Sequence, residues 1–373
     1  MRIASRQFRV FCIGSFMNRA GAQEALVRVA TQLRARGHVT EVRFVYRHRD
    51  AFAGDPHIRT ISGESRLSPV GYVCAFLRLL KELRRQKPDA VICFMPLGAV
   101  MGCLAAAMAG VKVRIASQRV PGSTVGPAMR ILDRVWGTTL LYTKIICVSQ
   151  SVSDSFARYP APYRSKLVVV HNGIPWKKSP MPREEARRKF GLPLDRLLIL
   201  AAGRMSYQKN YGFLLDRVRA VEAMTLVIAG DGDERPRHEA FVTEHGLDNR
   251  VFMLGALPHE DVVNLYEAVD IFIQTSLFEG QSNSTLEAMH AGLPIIVSDI
   301  PTQRETLCRA DGSSVAKIVP LDQPECWNSA ISQLIASPEE RTRLGEEAQK
   351  FVTAQFTLDA MIDGFENALE ETR

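Results

Sequence analysis

The sequence predicts an α/β protein of two tandem Rossmann-like domains, each built on a doubly wound parallel sheet, with a cleft between them. Three observations support this prediction. The chain has 373 residues, more than one compact domain usually holds. Short apolar runs alternate with helix-period segments along the whole chain. The alternation stops once, in a polar stretch containing Pro175, Pro180 and Pro182, and then restarts.

That polar stretch sets the predicted domain boundary. The N-terminal domain covers residues 1–175 and the C-terminal domain covers residues 176–355. A last helix at about 356–373 is expected to pack back onto the first domain. Ligands of open α/β sheets bind beyond the carboxyl ends of the strands, so the cleft is the expected active site.

The first domain begins with an apolar run and a glycine-containing loop, and it ends at the Asn172-Gly173 turn. The predicted strands cover residues 8–13, 41–46, 90–94, 113–116, 144–148 and 167–171. The predicted helices cover residues 22–36 and 72–86, and residues 14–21 are predicted to form a loop. The apolar window 97–113 is shorter than the roughly 20 residues that span a bilayer, which favours a buried helix.

The second domain repeats the same alternation of strands and helices, which is typical of a parallel sheet. The predicted strands cover residues 197–202, 225–229, 251–254, 271–274 and 294–297. The predicted helices cover residues 212–221, 238–245, 260–268 and 285–291.

Charge is distributed unevenly between the two predicted domains. Residues 1–175 hold 26 lysines and arginines against 9 aspartates and glutamates, a net +17, whereas the remainder holds 21 against 31, a net −10. This asymmetry indicates an anionic partner for the first domain: a membrane surface, a phosphorylated acceptor or nucleic acid. Ordinary solvated surface charge is the alternative.

The cysteines and the N-terminus bear on the cellular compartment. Seven cysteines, an odd number without a CxxC pair, lie mostly in apolar runs, which indicates reduced thiols and a cytoplasmic location. The apolar run near the N-terminus is too short for a signal peptide.

Candidate chemistry is concentrated where a predicted strand runs into a polar loop and then a helix. Backbone N–H groups and the helix dipole at such a helix start attract anions. Glu279 precedes the loop and Glu287 lies one turn into the helix, and each carboxylate can accept from two vicinal hydroxyls. The pattern predicts a pocket for a ligand with phosphates and sugar hydroxyls. The loop residues are Gly280, Gln281, Ser282, Asn283, Ser284 and Thr285.

The segment EGQSNSTLEAMHAGLPIIVSD, residues 279–299, resembles the donor-site signature of family 4 retaining glycosyltransferases of GT-B fold. Other segments resemble the family in the expected order along most of the chain. They are GAQE (21–24), HNGI (171–174), AGR (202–204), KN (209–210), AGDGDE (229–234), VFMLGAL (251–257) and AVD (268–270).

The resemblance implies a role for each matching residue. Arg204 and Lys209 hold the donor diphosphate, Glu279 binds hydroxyls of the transferred sugar, and Glu287 binds the ribose. Paired cations and helix N–H groups can neutralise a departing phosphate without a metal. Further donor contacts are expected from the loop residues above, from Gly203, and from the backbone of Met253 and Leu254. Acceptor contacts are expected from Phe16, Asn18, Gly21, Gln118 and Arg119.

Two features test this assignment against alternatives. Asp231-Gly232-Asp233 has the form of a D-x-D metal site, but its place after a strand favours the family's metal-free turn. Many relatives place a histidine where this chain has Gln118-Arg119, and an arginine cannot act as a base at neutral pH. The absence of a histidine suits front-side transfer, in which the leaving phosphate oxygen takes the acceptor's proton.

The resemblance implies a metal-independent, cofactor-free, retaining transfer of a hexose or N-acetylhexosamine. The expected donor is a UDP-sugar, with GDP-mannose next, and the expected acceptor is a saccharide or lipid-linked sugar. The pathway would be cell-surface polysaccharide synthesis, of lipopolysaccharide or capsule. A UDP-sugar epimerase of the same architecture is one alternative. A basic nucleic-acid-binding protein is the other, although no nucleic-acid module is recognisable.

The predicted helix 72–86 bears on location. Its basic side chains lie beside apolar ones, as in a helix that binds a membrane surface. The residues are Arg78, Lys81, Arg84 and Arg85 beside Phe76, Leu79 and Leu80. The expectation is an enzyme at the inner face of the membrane, and an ordinary sheet-packing helix is the alternative.

Overall fold

The computed structural model describes residues 7–18, 20–49, 51–52 and 54–372. The chain divides into two compact units. Unit 1 comprises Met1–Gly173 and Leu358–Arg373, and unit 2 comprises Ile174–Thr357. Sequence analysis placed the boundary after residue 175, and the binding roles attached to the two domains remain predictions.

Unit 1 is built on a parallel sheet that contains seven strands within the described residues. The spatial order is β3-β2-β1-β4-β5-β6-β7. The strands are β1 (Arg9–Met17), β2 (Val39–Arg47), β3 (Ile58–Thr60), β4 (Ala90–Phe94), β5 (Val113–Gln118), β6 (Lys144–Cys147) and β7 (Leu167–Val169). The strand order reverses between β1 and β4, which makes this the topological switch point.

Helices cover both faces of this sheet, because alternate side chains of its strands point to opposite cores. Val10 and Cys12 of β1 belong to one core, and Phe11 and Ile13 belong to the other. The helices are α1 (Gly21–Ala35), α2 (Pro69–Gln86), α3 (Pro96–Met108), α4 (Pro127–Thr138), α5 (Gln150–Asp154) and α6 (Ala161–Arg164). The apolar helix α3 has mostly buried side chains, which confirms its assignment as a buried helix.

The predicted loop 14–21 is wrong in its first half. Strand β1 continues to Met17 because its pairing with β2 extends that far, with Phe16 opposite Tyr46 and Met17 opposite Arg47. The predicted strand ended at Ile13, because Gly14, which has only a hydrogen atom as its side chain, interrupts the apolar run. The ladder continues because Gly14 also pairs with Phe44 and Phe94.

Unit 2 is built on a second parallel sheet, with six strands within the described residues. The spatial order is β10-β9-β8-β11-β12-β13. The strands are β8 (Leu198–Ala202), β9 (Thr225–Ala229), β10 (Val251–Gly255), β11 (Ile271–Gln274), β12 (Ile295–Ser298) and β13 (Lys317–Val319). Its switch point lies between β8 and β11. The two sheets confirm the predicted class of two parallel α/β domains.

Helices again lie on both faces of the unit 2 sheet. They are α7 (Arg183–Lys189), α8 (Tyr211–Ala220), α9 (Arg235–Glu244), α10 (His259–Ala268), α11 (Asn283–His290), α12 (Pro301–Leu307), α13 (Pro324–Ala336) and α14 (Pro338–Gln355). Helix α7 lies in the polar stretch to which sequence analysis assigned no structure. Its Arg187 is buried and donates to Ala268 O at 2.8 Å and to Asp270 Oδ2 at 2.9 Å.

The last helix, α15 (Leu358–Glu370), packs on unit 1. Its Phe365 ring stacks on the Phe94 ring, with centroids 6.0 Å apart. Arg36, which follows α1, forms ion pairs with Asp363 at 2.5 Å and with Glu366 at 2.6 Å. Apolar stacking and partly exposed ion pairs thus hold the C-terminus on the first sheet. Within the described residues, every helix is too short or too polar to cross a membrane.

Candidate active site

The switch point of unit 2 brings together the ends of β8 and β11. Gly203 and Arg204 follow β8, and the segment from Thr275 to Glu279 follows β11. Parallel strands end at one edge of the sheet, so residues far apart in sequence meet there. The structure brings Lys209 and Glu279, two of the predicted catalytic residues, into direct contact at this edge.

Glu279 is the best-connected side chain of this edge. It is 6% exposed, and its Oε1 accepts from Lys209 Nζ at 2.7 Å, Gln274 Nε2 at 2.9 Å and Ser276 Oγ at 2.7 Å. Its Oε2 accepts from Gln208 Nε2 at 3.1 Å. Four donors therefore fix the carboxylate, and Oε2 keeps the larger share of its accepting capacity for a ligand.

Lys209 closes a short 3₁₀ turn, Tyr207–Lys209, just before α8. The next residue, Asn210, adopts the left-handed conformation with φ of 53°, which turns the chain into the helix. The turn is tied to the β11 side, since Leu277 N donates to Gln208 O at 2.8 Å and Thr275 Oγ1 donates to Lys209 O at 3.1 Å. The ammonium is thus held at the switch point by backbone geometry as well as by Glu279.

Three glycines line the ends of β8, β9 and β10, and all three have positive φ: 143° at Gly203, 148° at Gly230 and 73° at Gly255. A Cβ on Gly230 would lie 2.0 Å from Gly203 O, and a Cβ on Gly203 would lie 2.8 Å from Lys209 Cε. Glycine is required here because neighbouring backbone and the lysine stem occupy the space. The edge presents main chain rather than side chains to a ligand.

A second polar network holds the loop that precedes α11. Ser282 caps the helix, its Oγ accepting from Thr285 N at 3.3 Å. Thr285 Oγ1 and Gln303 Nε2 both donate to Gln274 Oε1, at 2.7 and 2.8 Å. Gln274 therefore links the loop to the carboxylate of Glu279. Sequence analysis missed Gln208, Gln274 and Gln303, because no local pattern marks a glutamine whose partners lie on other elements.

Glu287 lies on the inner face of α11 and is 8% exposed. Tyr266 OH donates to its Oε2 at 3.0 Å. Burial, and then the charge of Glu287, raises the pKa of Tyr266 well above its usual value, so the hydroxyl stays protonated and remains a donor. Glu287 therefore does not lie on the solvated face of this helix.

The remaining donor-side residues are less constrained. Arg204 is exposed and, among the described residues, takes part in no ion pair. Met253 and Leu254 are half-buried on β10, the edge strand of the sheet. Gly280, Gln281 and Ser282 are buried, whereas Asn283 and Ser284 are half-buried. In the part of the chain that the structure describes, no three His, Cys, Asp or Glu side chains cluster as a metal site would need, and metal independence remains a prediction.

The acceptor-side residues of unit 1 lie on two parts of its sheet. Phe16 belongs to β1, not to a loop as predicted, and its ring contacts Tyr46 and His48 with centroids 5.6 and 5.9 Å apart. Asn18 follows the strand and Gly21 begins α1. Packing among rings thus accounts for Phe16, and acceptor binding by these residues remains a prediction.

Gln118 ends β5 and takes part in a buried network. Its Nε2 donates to Asp133 Oδ1 at 2.7 Å, and Tyr163 OH donates to Asp133 Oδ2 at 2.8 Å. Burial raises the pKa of Asp133, while these two hydrogen bonds act in the opposite direction. Gln118 and Asp133 also line a small cavity with Phe156. Sequence analysis missed Asp133, which lies on a helix that it did not assign.

Arg119 follows directly and is 9% exposed. Its Nη2 donates to Asn172 Oδ1, and its Cζ lies 5.1 Å from the centroid of the Phe94 ring. Burial, and then the charge of Arg28, lowers the pKa of Arg119 to about 9. The guanidinium therefore keeps its charge at neutral pH.

Helix α2 differs from the membrane helix that the sequence suggested. Leu79 and Leu80 are buried in the core of unit 1, and Phe76 packs partly against that core. The apolar residues assigned to a membrane face therefore stabilise the domain instead. Val73 and Leu77, at 57% and 55% exposure, lie on the outer side of the helix.

Two family models match the chain. "Glycosyltransferase Family 4" matches residues 19–177, and "Glycosyl transferases group 1" matches residues 182–351, so together they cover most of the sequence and both units. The chain belongs to glycosyltransferase family 4. The second match spans the whole candidate donor edge, from Gly203 to Gln303.

Curated relatives of this family 4 chain are similar over part of their length. The alpha-D-kanosaminyltransferase of Streptomyces kanamyceticus is 28% identical over 48% of this chain and 47% of that protein. The lipopolysaccharide core biosynthesis glycosyltransferase LpsE of Rhizobium meliloti is 27% identical over 48% of this chain and 51% of that protein. The chain spans about half the length of the curated relatives it matches.

Similarity in structure extends over almost the whole chain. HepE of Anabaena, solved in complex with UDP and glucose, superposes with a TM-score of 0.83 at 17% identity. The superposition covers 98% of this chain and 100% of HepE. At this identity the likeness shows the fold alone, and it confirms the predicted GT-B fold of this family 4 member.

Proposed function

We propose that the protein is a retaining glycosyltransferase that moves a hexose or N-acetylhexosamine from a UDP-sugar to a saccharide or lipid-linked acceptor. The contact between Lys209 and Glu279 carries the proposal. A ligand with a diphosphate and a sugar needs a cation and a carboxylate side by side, on an edge where main chain leaves room for it. That combination lies at the switch point of unit 2, and family membership gives the same reaction class.

In the proposed reaction, Lys209 and Arg204 bind the diphosphate. The acceptor hydroxyl oxygen bonds to the anomeric carbon as the bond from that carbon to the phosphate oxygen breaks. The electron pair and the acceptor's proton both go to the leaving phosphate oxygen, so no protein base is required. Lys209 stabilises the charge that develops on that oxygen. The absence of a histidine at Gln118-Arg119 supports this front-side course, which retains the anomeric configuration.

Glu287 and Glu279 are the proposed hydroxyl-binding residues. Glu287, whose carboxylate accepts from Tyr266, is proposed to bind the ribose, whereas Glu279 is proposed to bind the transferred sugar through Oε2. We assign UDP rather than GDP because HepE, which shares the fold, was solved with UDP and glucose. A donor bound by these groups needs no metal, so we expect a chelator to leave turnover unchanged.

The proposed pathway is the synthesis of a cell-surface polysaccharide. LpsE, named for lipopolysaccharide core biosynthesis, supports this class of product. The net charge of +17 on residues 1–175 suits an acceptor on an anionic lipid carrier at the inner membrane face.

A surface of unit 1 supports contact with such a membrane. Helix α3 packs against both α2 and α4, and exposed apolar and basic side chains lie on the outer two helices. We call this surface the apolar–basic face. Its apolar members are Val70, Val73, Leu77, Ile131 and Val135, and its basic members are Arg78, Lys81, Arg84, Arg85, Arg130 and Arg134. Apolar insertion combined with anionic headgroup binding is the usual basis of peripheral attachment.

Isothermal titration of the full chain with UDP, GDP and NAD tests the donor assignment. We expect UDP to bind, with Glu287→Ala weakening it at least about tenfold, because a charged hydrogen-bond acceptor contributes about 1.5–3 kcal/mol. Glu244→Gln, an exposed carboxylate on α9, is the matched control and should bind UDP as wild type. Binding of NAD alone would overturn the proposal.

A mass-spectrometric screen of UDP- and GDP-sugars tests the reaction itself. We expect donor hydrolysis with one UDP-sugar, and NMR of the released sugar should show the α-configuration of the donor. Conversion of the UDP-sugar into an epimer without hydrolysis would favour an epimerase instead.

Sedimentation with phosphatidylglycerol vesicles tests the membrane contact. Each basic residue near an anionic surface contributes about 1 kcal/mol, so the Arg84→Gln and Arg85→Gln double variant should bind at least about tenfold more weakly. The matched control removes Arg158 and Arg164, two exposed arginines outside the face, and should bind as wild type. Equal sedimentation of both double variants would contradict the assignment of this face.

A further inference from the structure

A buried cation at the carboxyl edge of the unit 1 sheet has no anionic partner among the described residues. Arg119 is 9% exposed, and within the described part of the chain its guanidinium pairs with no carboxylate. Its Nη1 has no hydrogen-bond partner there, and its Nη2 bonds to the neutral amide oxygen of Asn172. A buried charge is costly unless it is paired, so an amide and an aromatic face leave it under-compensated.

The position of Arg119 is that of a ligand site. Its guanidinium lies over Phe94, the last residue of β4, and β4 forms one side of the switch point of this sheet. Helix α3 begins at Pro96, two residues beyond Phe94, so the positive end of its dipole faces the same edge. Met95 between them has φ of 67°, a strained conformation for a residue other than glycine.

A second cation lies close to the first. Arg28 of α1 donates to Gly173 O at 3.1 Å, and its charge contributes to the lowered pKa of Arg119. Two like charges and a helix N-terminus at one edge all favour the same ligand chemistry, which is an anion. An anionic oxygen that replaced the amide oxygen of Asn172 would form a stronger, charge-assisted bond.

We propose that Arg119 binds an anionic group of the acceptor, a phosphate or a carboxylate, at the carboxyl edge of the unit 1 sheet. This inference rests on the proposed function, since it assigns the ligand to the acceptor of that reaction. It narrows the acceptor to an anionic class: a phosphate-linked carrier or an acidic sugar. A neutral acceptor would leave the guanidinium under-compensated.

Anion binding is measured in a background that removes the donor site. The full chain carrying Arg204→Ala and Lys209→Ala is titrated calorimetrically with inorganic pyrophosphate, and separately with glucuronate. Saturable binding of pyrophosphate indicates a phosphate-linked acceptor, and saturable binding of glucuronate indicates an acidic sugar. Either result supports the inference, and the absence of both overturns it.

Three further substitutions in that background locate the site. Arg119→Gln should weaken binding at least about tenfold, since a hydrogen bond to a charged group is lost. Arg119→Lys, which keeps the charge, should recover part of the affinity, and this also separates anion binding from a structural role. Arg59→Gln, at an exposed residue of the edge strand β3, is the control and should bind as the background does. Equal affinity in Arg119→Gln and Arg59→Gln would overturn the inference.

UDP titration of the chain with Arg204 and Lys209 intact separates this inference from the proposed function. If UDP binds equally to wild type and to Arg119→Gln, and substitution of Arg119 does not change the affinity for pyrophosphate or glucuronate, only the anionic acceptor is refuted. If UDP fails to bind wild type, the donor assignment is refuted whatever Arg119 does.

Discussion

The carboxyl edges of the two sheets differ in how they compensate buried charge. In unit 2, Lys209 Nζ lies 2.7 Å from Glu279 Oε1, and that carboxylate also accepts from three uncharged side chains. In unit 1, Arg119 is also buried, but among the described residues its guanidinium pairs with no carboxylate. It donates to the amide oxygen of Asn172 and lies over the ring of Phe94. One edge is compensated before any ligand binds, and the other is not.

The two edges therefore place different requirements on a ligand. A preformed network holds its charges in place during a reaction, because no reorganisation is needed when charge develops. An unpaired buried cation instead lowers the stability of the empty protein and gains most from an anion. Under the proposed function, we therefore infer that the unit 2 edge carries the chemistry and that the unit 1 edge selects the ligand.

The largest expected effect is on turnover, at the compensated edge. Lys209→Ala removes the cation that we propose stabilises the leaving phosphate, and loss of one such group typically costs about 10²–10³ in turnover. Donor hydrolysis measured by mass spectrometry checks this. Lys350→Ala, an exposed lysine on α14, is the control and should react as wild type. Wild-type turnover in Lys209→Ala would refute its role.

The next largest effect is expected on the free energy of unfolding, at the glycine backbone that we propose leaves room for the donor. Gly230→Ala should lower the free energy of unfolding by about 2–4 kcal/mol, because φ is 148° and the new Cβ would lie 2.0 Å from Gly203 O. UDP binding should fall with it. Chemical denaturation measures the change in stability.

Gly212→Ala is the matched control for that substitution. Gly212 lies in α8, and a Cβ there would meet no atom within 4 Å. Alanine favours a helix, so this variant should be unchanged or up to about 1 kcal/mol more stable. Equal midpoints for the two variants would contradict the close approach of β8 and β9.

The sequence predicted the residues at the carboxyl edge of the unit 2 sheet better than those at the carboxyl edge of the unit 1 sheet. Strands at 90–94, 225–229 and 271–274 have the predicted bounds, because buried parallel strands are continuous apolar runs. Lys209 and Glu279 were both singled out, and the structure brings them together. Local patterns and a family resemblance sufficed for these residues.

Other residues could not be predicted from local pattern. Helix α7 was not predicted, because the burial of its Arg187 depends on its partner Asp270, 83 positions away. Asp133 likewise depends on Gln118, 15 positions away. The burial of Arg119 follows from packing against Phe94 and Asn172, on other strands and turns. Such contacts arise from tertiary structure, which periodicity does not encode.

A smaller effect is expected on stability when the pair in unit 2 is broken. Lys209→Met leaves Glu279 with neutral donors only, so the free energy of unfolding should fall by about 1–3 kcal/mol. Adding Glu279→Gln removes the stranded carboxylate and should recover part of that loss. Denaturation of the two single variants and of the double variant checks this. A double variant whose loss of stability equals or exceeds the sum of the two single losses would show that the pair is not coupled in this way.

The smallest expected effect is the change in the free energy of unfolding when Arg119 is replaced. Unlike the effects above, it is expected to be zero or a gain in stability. Arg119→Met removes a buried charge that lacks an anionic partner and fills similar space with apolar atoms. The empty protein should therefore be unchanged or more stable by about 1 kcal/mol, as when other buried charges are replaced by apolar residues. Arg187→Met is the matched comparison, because Arg187 is equally buried but pairs with Asp270 at 2.9 Å.

Arg187→Met should lower the free energy of unfolding by about 3 kcal/mol, since Asp270 loses one of its two arginine partners and several backbone carbonyls lose their donor. Denaturation of both variants without ligand therefore gives opposite signs for two buried arginines of one chain. In the background that carries Arg204→Ala and Lys209→Ala, pyrophosphate or glucuronate, whichever binds, should then raise the unfolding midpoint when Arg119 is present and leave it unchanged when Arg119→Met is added, because only the native arginine gains from the anion. A large loss of stability in Arg119→Met would show that Asn172 and Phe94 already compensate the charge, and the contrast between the two edges would disappear.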